Sequence, residues 1–169
     1  MATESKTPVR ICFVCLGNIC RSPTAEGVML KLVADRRLGE HVQIDSAGTG
    51  AYHVGERADA RSAAAAKKRG VTLESRARRF VQDDFDRFDY VVAMDSQNLA
   101  NLKALARHGA DHAKLSLLRS FSPASASLDV PDPYYRDNFD EVFDICLEGC
   151  TGLLEQLVER HGLPRVGGA

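Results

Sequence analysis

Little in this sequence would place it in a membrane, on nucleic acid or in an oxidising compartment. No apolar stretch approaches the roughly 18 residues needed to cross a bilayer. The segment Met1 to Pro8 is polar, with no apolar run behind a basic start, so a polar tail and a cytoplasmic protein without membrane insertion are expected. The formal net charge is −1. No global basic field exists to draw nucleic acid or a membrane surface, and any recognition of anions has to be local. Five cysteines occur, Cys12, Cys15, Cys20, Cys146 and Cys150, and an odd count with no secretory leader argues against a disulfide framework. Cys15 and Cys20 have no matching Cys or His pair at ligand spacing, so neither a metal nor another cofactor is expected. Cys146 and Cys150 fall four apart in a helical pattern and read as small buried apolar residues. No internal repeat is present.

What is there fits one ordinary domain: 169 residues, 44% hydrophobic and 27% charged, enough to bury a core without covalent staples. The domain is placed at residues 9–163, between a disordered tail at 1–8 and a frayed tail at 164–169. Val9 to Val14 is a short β-branched and aromatic run, as a strand buried on both faces looks. Val42 to Ala47, Asp89 to Met94 and Lys114 to Leu118 read as three more strands. Between them lie helical patterns: one opening at Ser22-Pro23 as cap and first residue, one over Asp59 to Arg69 stopped by Gly70, and one over Ser96 to Arg107 stopped by Gly109. Arg76 to Phe88 reads as loop plus a short helix, and Arg119 to Val130 as loop. A long last helix is expected over Phe139 to His161. Strands alternating with helices predict an α/β fold, a four-stranded parallel sheet with helices on both faces. Ligands of such sheets bind beyond the carboxyl ends of the strands. The first strand ends at Cys15.

That position makes the stretch Cys15-Leu16-Gly17-Asn18-Ile19-Cys20-Arg21-Ser22-Pro23 the place to look for chemistry. Successive backbone N–H groups ahead of a helix N-terminus favour negative charge on Cys15 and cradle a phosphate. Arg21 supplies a planar fork that matches two phosphoryl oxygens. Gly17 lets the backbone turn with positive φ or approach a ligand closely. Asn18 holds or braces an unusual loop conformation. Ser22 is placed to donate a hydrogen bond to the Cys15 sulfur. The set supports in-line attack on a phosphoryl group through a covalent cysteinyl-phosphate. A poor leaving group needs a proton, and Asp132, stiffened between Pro131 and Pro133, is the best donor. Tyr134 and Tyr135 are either packing residues or a wall for an aromatic substrate. Asp95 reads as a helix cap and His53 as a surface residue.

CLGNICRSP after an apolar strand, SAG after the second, AMD after the third and DPYY near the end, in this order, resemble the low-molecular-weight protein tyrosine phosphatases from about Val9 to the last helix. The resemblance implies that family's flavodoxin-like topology and hydrolysis of phosphotyrosine on a tyrosine-phosphorylated protein, without cofactor. It implies Cys15 as nucleophile, Arg21 as phosphate-binding arginine and Asp132 as general acid and base. Phosphate binding falls to the loop Leu16, Gly17, Asn18, Ile19, Cys20, Arg21 and Ser22, and the substrate cleft to Tyr52, Tyr134 and Tyr135. Cys20 matches a second loop cysteine able to form a reversible disulfide with the nucleophile; its alternative is a small packing residue. Related activities differ at named positions. Arginine phosphatases typically carry Thr where Ile19 stands. Thioredoxin-coupled arsenate reductases need two further redox cysteines in the middle of the chain, and between Arg21 and Asp144 there is none. A non-catalytic phosphotyrosine-binding module would have lost Cys15 or Asp132. Neither oligomeric state nor physiological substrate is fixed by these residues.

Overall fold

The computed structural model describes residues 7–122 and 127–165. Its centre is a four-stranded, all-parallel sheet in the order β2-β1-β3-β4, made of β1 (Val9–Cys15), β2 (Val42–Gly48), β3 (Tyr90–Ala93) and β4 (Leu115–Leu117). The helices are α1 (Arg21–Asp35), α2 (Ala60–Lys67), α3 (Asp84–Arg87), α4 (Ser96–Leu105), α5 (Gly109–Ala113) and α6 (Phe139–His161), and a 3-10 turn covers Leu118–Phe121. Among the described residues, no helix is long and apolar enough to cross a membrane.

The central strand shows why the sheet is two-faced. Its residues are buried alternately left and right, as a period of two requires. Ile11, Phe13 and Cys15 join α1 and α6 in one core. Cys12 and Val14 join Phe80, Phe85, Phe88 and Leu102 in the other. Side chains such as Phe13, Ile11, Phe80 and Phe85, all at most 1% exposed, contribute about 1.5–3 kcal/mol each by leaving water. β1 pairs with β2 on one side and β3 on the other, so the chain's winding reverses there. The crevice between the ends of β1 and β3 is the switch point where α/β sheets bind ligands.

α6 closes one face. Cys146 and Cys150 are fully buried, their sulfurs 3.9 Å from the Arg21 carbonyl and 3.5 Å from that of Ala25. They act as the small packing residues their spacing predicts. Gly149 and Gly152 let the same helix press on the 3-10 turn: a Cβ at Gly152 would overlap the Phe121 carbonyl, and one at Gly149 would stand 2.7 Å from Leu118. The helix ends at Gly162, whose φ of 59° is the left-handed stop glycine favours.

Three local expectations change. α1 begins at Arg21, with Cys20 as its N-cap and no side-chain capping bond. Ser22 is therefore inside the first turn and its hydroxyl is spent elsewhere. Gly109 does not merely end a helix. It starts α5, anchored by Asp111, which accepts from the Arg107 backbone at 2.9 Å and side chain at 2.8 Å. Part of the segment read as loop after β4 is the 3-10 turn, while residues 123–126 lie outside the described residues, as do 1–6 and 166–169 of the two tails.

Candidate active site

The loop after β1 is held from behind, through its carbonyls and one side chain. The Cys15 carbonyl accepts from Thr49 N–H at 2.8 Å, that of Leu16 from Gly50 at 2.9 Å and that of Ile19 from Asp59 at 2.7 Å. Cys20 takes Thr24 through backbone and hydroxyl. Among the described residues, the N–H groups of residues 17–22 donate no hydrogen bond. With its acceptors committed outward, the loop keeps its donors for an anion.

Asn18 makes the geometry possible. It, and not Gly17, carries the positive φ, 56°, a conformation Asn tolerates better than most residues. It is 1% exposed. Its amide nitrogen donates to Ser22 Oγ at 2.8 Å and Ser46 Oγ at 2.9 Å, while its oxygen accepts from Arg78 N–H at 3.0 Å. Every hydrogen-bonding site but one lone pair is used. Gly17 is small for another reason: a Cβ there would stand 3.0 Å from the His53 ring. Gly48, paired with Cys15 across β1 and β2, has the same constraint from backbone, since a Cβ would lie 2.7 Å from the Leu16 carbonyl oxygen.

Cys15 Sγ lies 3.0 Å from Ser22 Oγ. Arg21 is 3% exposed, and such a cation must be paired. Its Nη1 donates to Asp95 Oδ2 at 2.6 Å and to the Val130 carbonyl at 3.0 Å, which leaves Nη2 facing Asp132 Oδ2 at 3.7 Å. Charge partners hold the guanidinium protonated against burial, the Cys15 sulfur and Asp95 foremost. Asp132 is more exposed, 45% of its side chain, in a turn where its Oδ1 accepts from Tyr134 N–H at 3.1 Å.

These groups meet in one cleft of about 300 Å³, lined by Cys15, Leu16, Gly17, Ile19, Cys20, Arg21, Tyr52, His53, Asp132, Tyr134 and Tyr135. The paired tyrosines are thus wall residues, their rings edge to face at 4.9 Å. Tyr52 lines the cleft beside Leu16 and is largely exposed. His53 is a cleft residue too, its Nδ1 2.8 Å from Glu56 Oε2 and its ring tilted towards Tyr134. Asn18 and Ser22 sit behind the loop instead of lining the cleft, so their side chains brace it. Cys20 lines the cleft with its thiol pushed up to about 12, chiefly by burial. Both it and Cys15 are free.

The residues that sequence reasoning undervalued sit one strand away. Asp95 caps α4 with a capping box and also pairs with Arg21, so a single carboxyl fixes both a helix start and the guanidinium in the cleft. Ser46 passes the Asn18 bond on to Glu26, whose carboxyl burial pushes above the usual carboxylate range. Their signals were the tripeptides AMD and SAG at the ends of β3 and β2.

A buried thiol and arginine at the switch point of a parallel sheet, with a carboxyl at the mouth, define a cysteine-based site for an oxyanion. Comparison with known proteins narrows the class. Residues 10–162 match the family model described as low molecular weight phosphotyrosine protein phosphatase. A low molecular weight protein-tyrosine-phosphatase of Streptomyces coelicolor is 50% identical over 155 residues, 89% of this chain and 94% of that protein. A crystal structure of a protein tyrosine phosphatase from Entamoeba histolytica with Hepes in its active site superposes with a TM-score of 0.86 at 39% identity, over 92% of this chain and 99% of that one. A Drosophila arginine phosphatase follows at a TM-score of 0.81 and 32% identity, over 86% and 96%. The chain belongs to the low molecular weight phosphotyrosine protein phosphatase family.

Proposed function

We propose that this protein is a protein-tyrosine phosphatase that works through a cysteinyl-phosphate, with Cys15, Arg21 and Asp132 as its catalytic groups. The observation that carries the reading is the convergence of Cys15 Sγ, the Arg21 guanidinium and the Asp132 carboxyl on one cleft walled by tyrosines. A phosphotyrosyl ring suits the walls Tyr52, Tyr134 and Tyr135, and its phosphate reaches the loop. The free N–H groups of the loop and Arg21 Nη2 take the three equatorial oxygens, where charge builds in the transition state. Ser22 donates to the Cys15 sulfur. That sulfur attacks phosphorus as the bond to the phenolic oxygen breaks, and the Asp132 carboxyl gives that oxygen its proton. Tyrosine leaves. Water then attacks the cysteinyl-phosphate with Asp132, now a carboxylate, taking the proton, and phosphate and Cys15 are released. Asp95 and the Val130 carbonyl keep Arg21 oriented throughout.

Ile19 favours phosphotyrosine over phosphoarginine. It is an apolar residue in the cleft, where a polar side chain would serve a guanidinium better. Cys20, in the same cleft, is the partner for a reversible disulfide that would spare Cys15 from further oxidation. Five free thiols, none paired, suit a reducing, cytoplasmic setting and a tyrosine-phosphorylated protein as substrate. The test is a side-by-side assay with p-nitrophenyl phosphate, phosphotyrosine, phosphoarginine and arsenate, in the presence of chelator. Turnover of the two aryl phosphates well above phosphoarginine is expected. Absence of aryl phosphate turnover between acidic and neutral pH removes the reading, and arsenate reduction with thioredoxin replaces it.

A further inference from the structure

Beside the cleft runs a second, wider groove of about 710 Å³. The two share Leu16 and Tyr52 as a common wall. Thr49, Arg79 and Asn101 also line it. Arg79 is the one charged side chain among the described residues that line it. Its neighbours in sequence are spoken for: Arg78 pairs with Asp45 and Asp84, both at 3.0 Å, and Arg76 donates to the Gly55 carbonyl. Arg79 is exposed, and among the described residues its guanidinium has neither hydrogen bond nor ion pair. Yet its backbone is fixed, bridged to Gly48 with Phe80 N–H on the Gly48 carbonyl at 2.8 Å. A firmly seated arginine with an unanswered charge therefore faces a groove that opens from the active site.

The distance from the cleft fits a bound peptide. Cys15 pairs with Gly48, and Gly48 bridges to Arg79. Neighbouring strands lie roughly 4.8 Å apart, so the Arg79 Cα stands roughly 10 Å from that of Cys15, the span of about three residues of extended chain.

We propose that this groove receives the polypeptide flanking the phosphotyrosine and that Arg79 selects an acidic side chain within about three residues of it. The inference rests on the phosphatase reading above and adds the class of protein substrate. Exposed ion pairs are modest and screened by salt, so the effect is a preference. Phosphotyrosyl peptides carrying Glu, Ala or Lys at each of the three positions on either side are compared by kcat/KM. At the best position Glu should exceed Ala by about fivefold at low salt, and the ratio should shrink towards one as salt is raised. Arg79→Ala should bring the ratio to about one, and Arg79→Glu should turn it in favour of Lys. Equal rates on all peptides, or a Glu preference that survives Arg79→Ala, overturn the inference. Those results come with turnover of p-nitrophenyl phosphate and leave the phosphatase reading standing. No turnover of any ester removes both.

Discussion

The floor and the rim of the cleft are built on different principles. The floor, Cys15 to Ser22, is buried apart from Leu16 and Gly17 and is tied outward through the carbonyls of Cys15, Leu16, Ile19 and Cys20; Asn18, Arg21 and Ser22 are each at most 3% exposed. The rim is open: Tyr52 is 77% and Tyr135 91% exposed, and Asp132 is half in solvent on a proline-stiffened turn. A floor that must present charge-stabilising donors at fixed positions gains from rigidity, because nothing then has to reorganise as charge develops. A rim that must admit and release an aromatic side chain, and exchange a proton with water, gains from access.

The contrast can be broken at either level. The largest effect belongs to the floor. Cys15→Ser should lower kcat for p-nitrophenyl phosphate by at least ~10⁴-fold while the protein still binds vanadate or phosphate; retained activity would take Cys15 out of the mechanism. Next comes the rim. Asp132→Asn should cost roughly 10²–10⁴-fold on phenyl phosphate and much less on esters whose leaving groups need no proton. Equal slowing of both would make Asp132 a turn-former only. The smallest change sharpens the distinction within the floor itself. Burial pushes Cys20 and Cys146 up to about 12 and holds Cys12 and Cys150 well above the ordinary thiol range. A raised thiol stays protonated, and so unreactive, until the pH nears that value. Iodoacetamide at neutral pH should therefore add one equivalent, at Cys15, slowed by phosphate; peptide mapping that finds Cys20 alkylated as fast would refute the assignment.

Much of this was legible from residue order. Strands and helices announced themselves by period, and Phe139 to His161 was bounded at both ends by its own pattern and Gly162. The cysteine loop was legible because its chemistry is local, the seven positions from Cys15 at the end of a strand to Arg21 at the start of a helix. What escaped was whatever depends on a partner far along the chain. Asp95 looked like a cap and is one, yet its other oxygen meets an arginine 74 positions earlier. Ser22 looked like a cap and is not, because Cys15 and Asn18 compete for its hydroxyl. Gly17 was open to a positive φ or a close approach, and the distant His53 ring decides for the approach, while Asn18 holds the unusual conformation its short polar side chain allowed. The Gly48 requirement comes from a carbonyl across the sheet and leaves no local trace.

One consequence of the Asn18 network concerns where a proton can go. The Asn18 oxygen accepts from Arg78 N–H, which fixes the amide's orientation, so its nitrogen can only give hydrogens to Ser22. Ser22 thus has one hydrogen of its own to place, on the Cys15 sulfur at 3.0 Å or on the Ala47 carbonyl at 3.5 Å. Whichever it takes, the chain of bonds ends on the sulfur or on a backbone carbonyl, and neither Asn18 nor that carbonyl is a base that could keep a proton. When Cys15 ionises, its proton must depart through the open side, past Asp132 and the incoming phosphate, and the interior of the protein is closed to it.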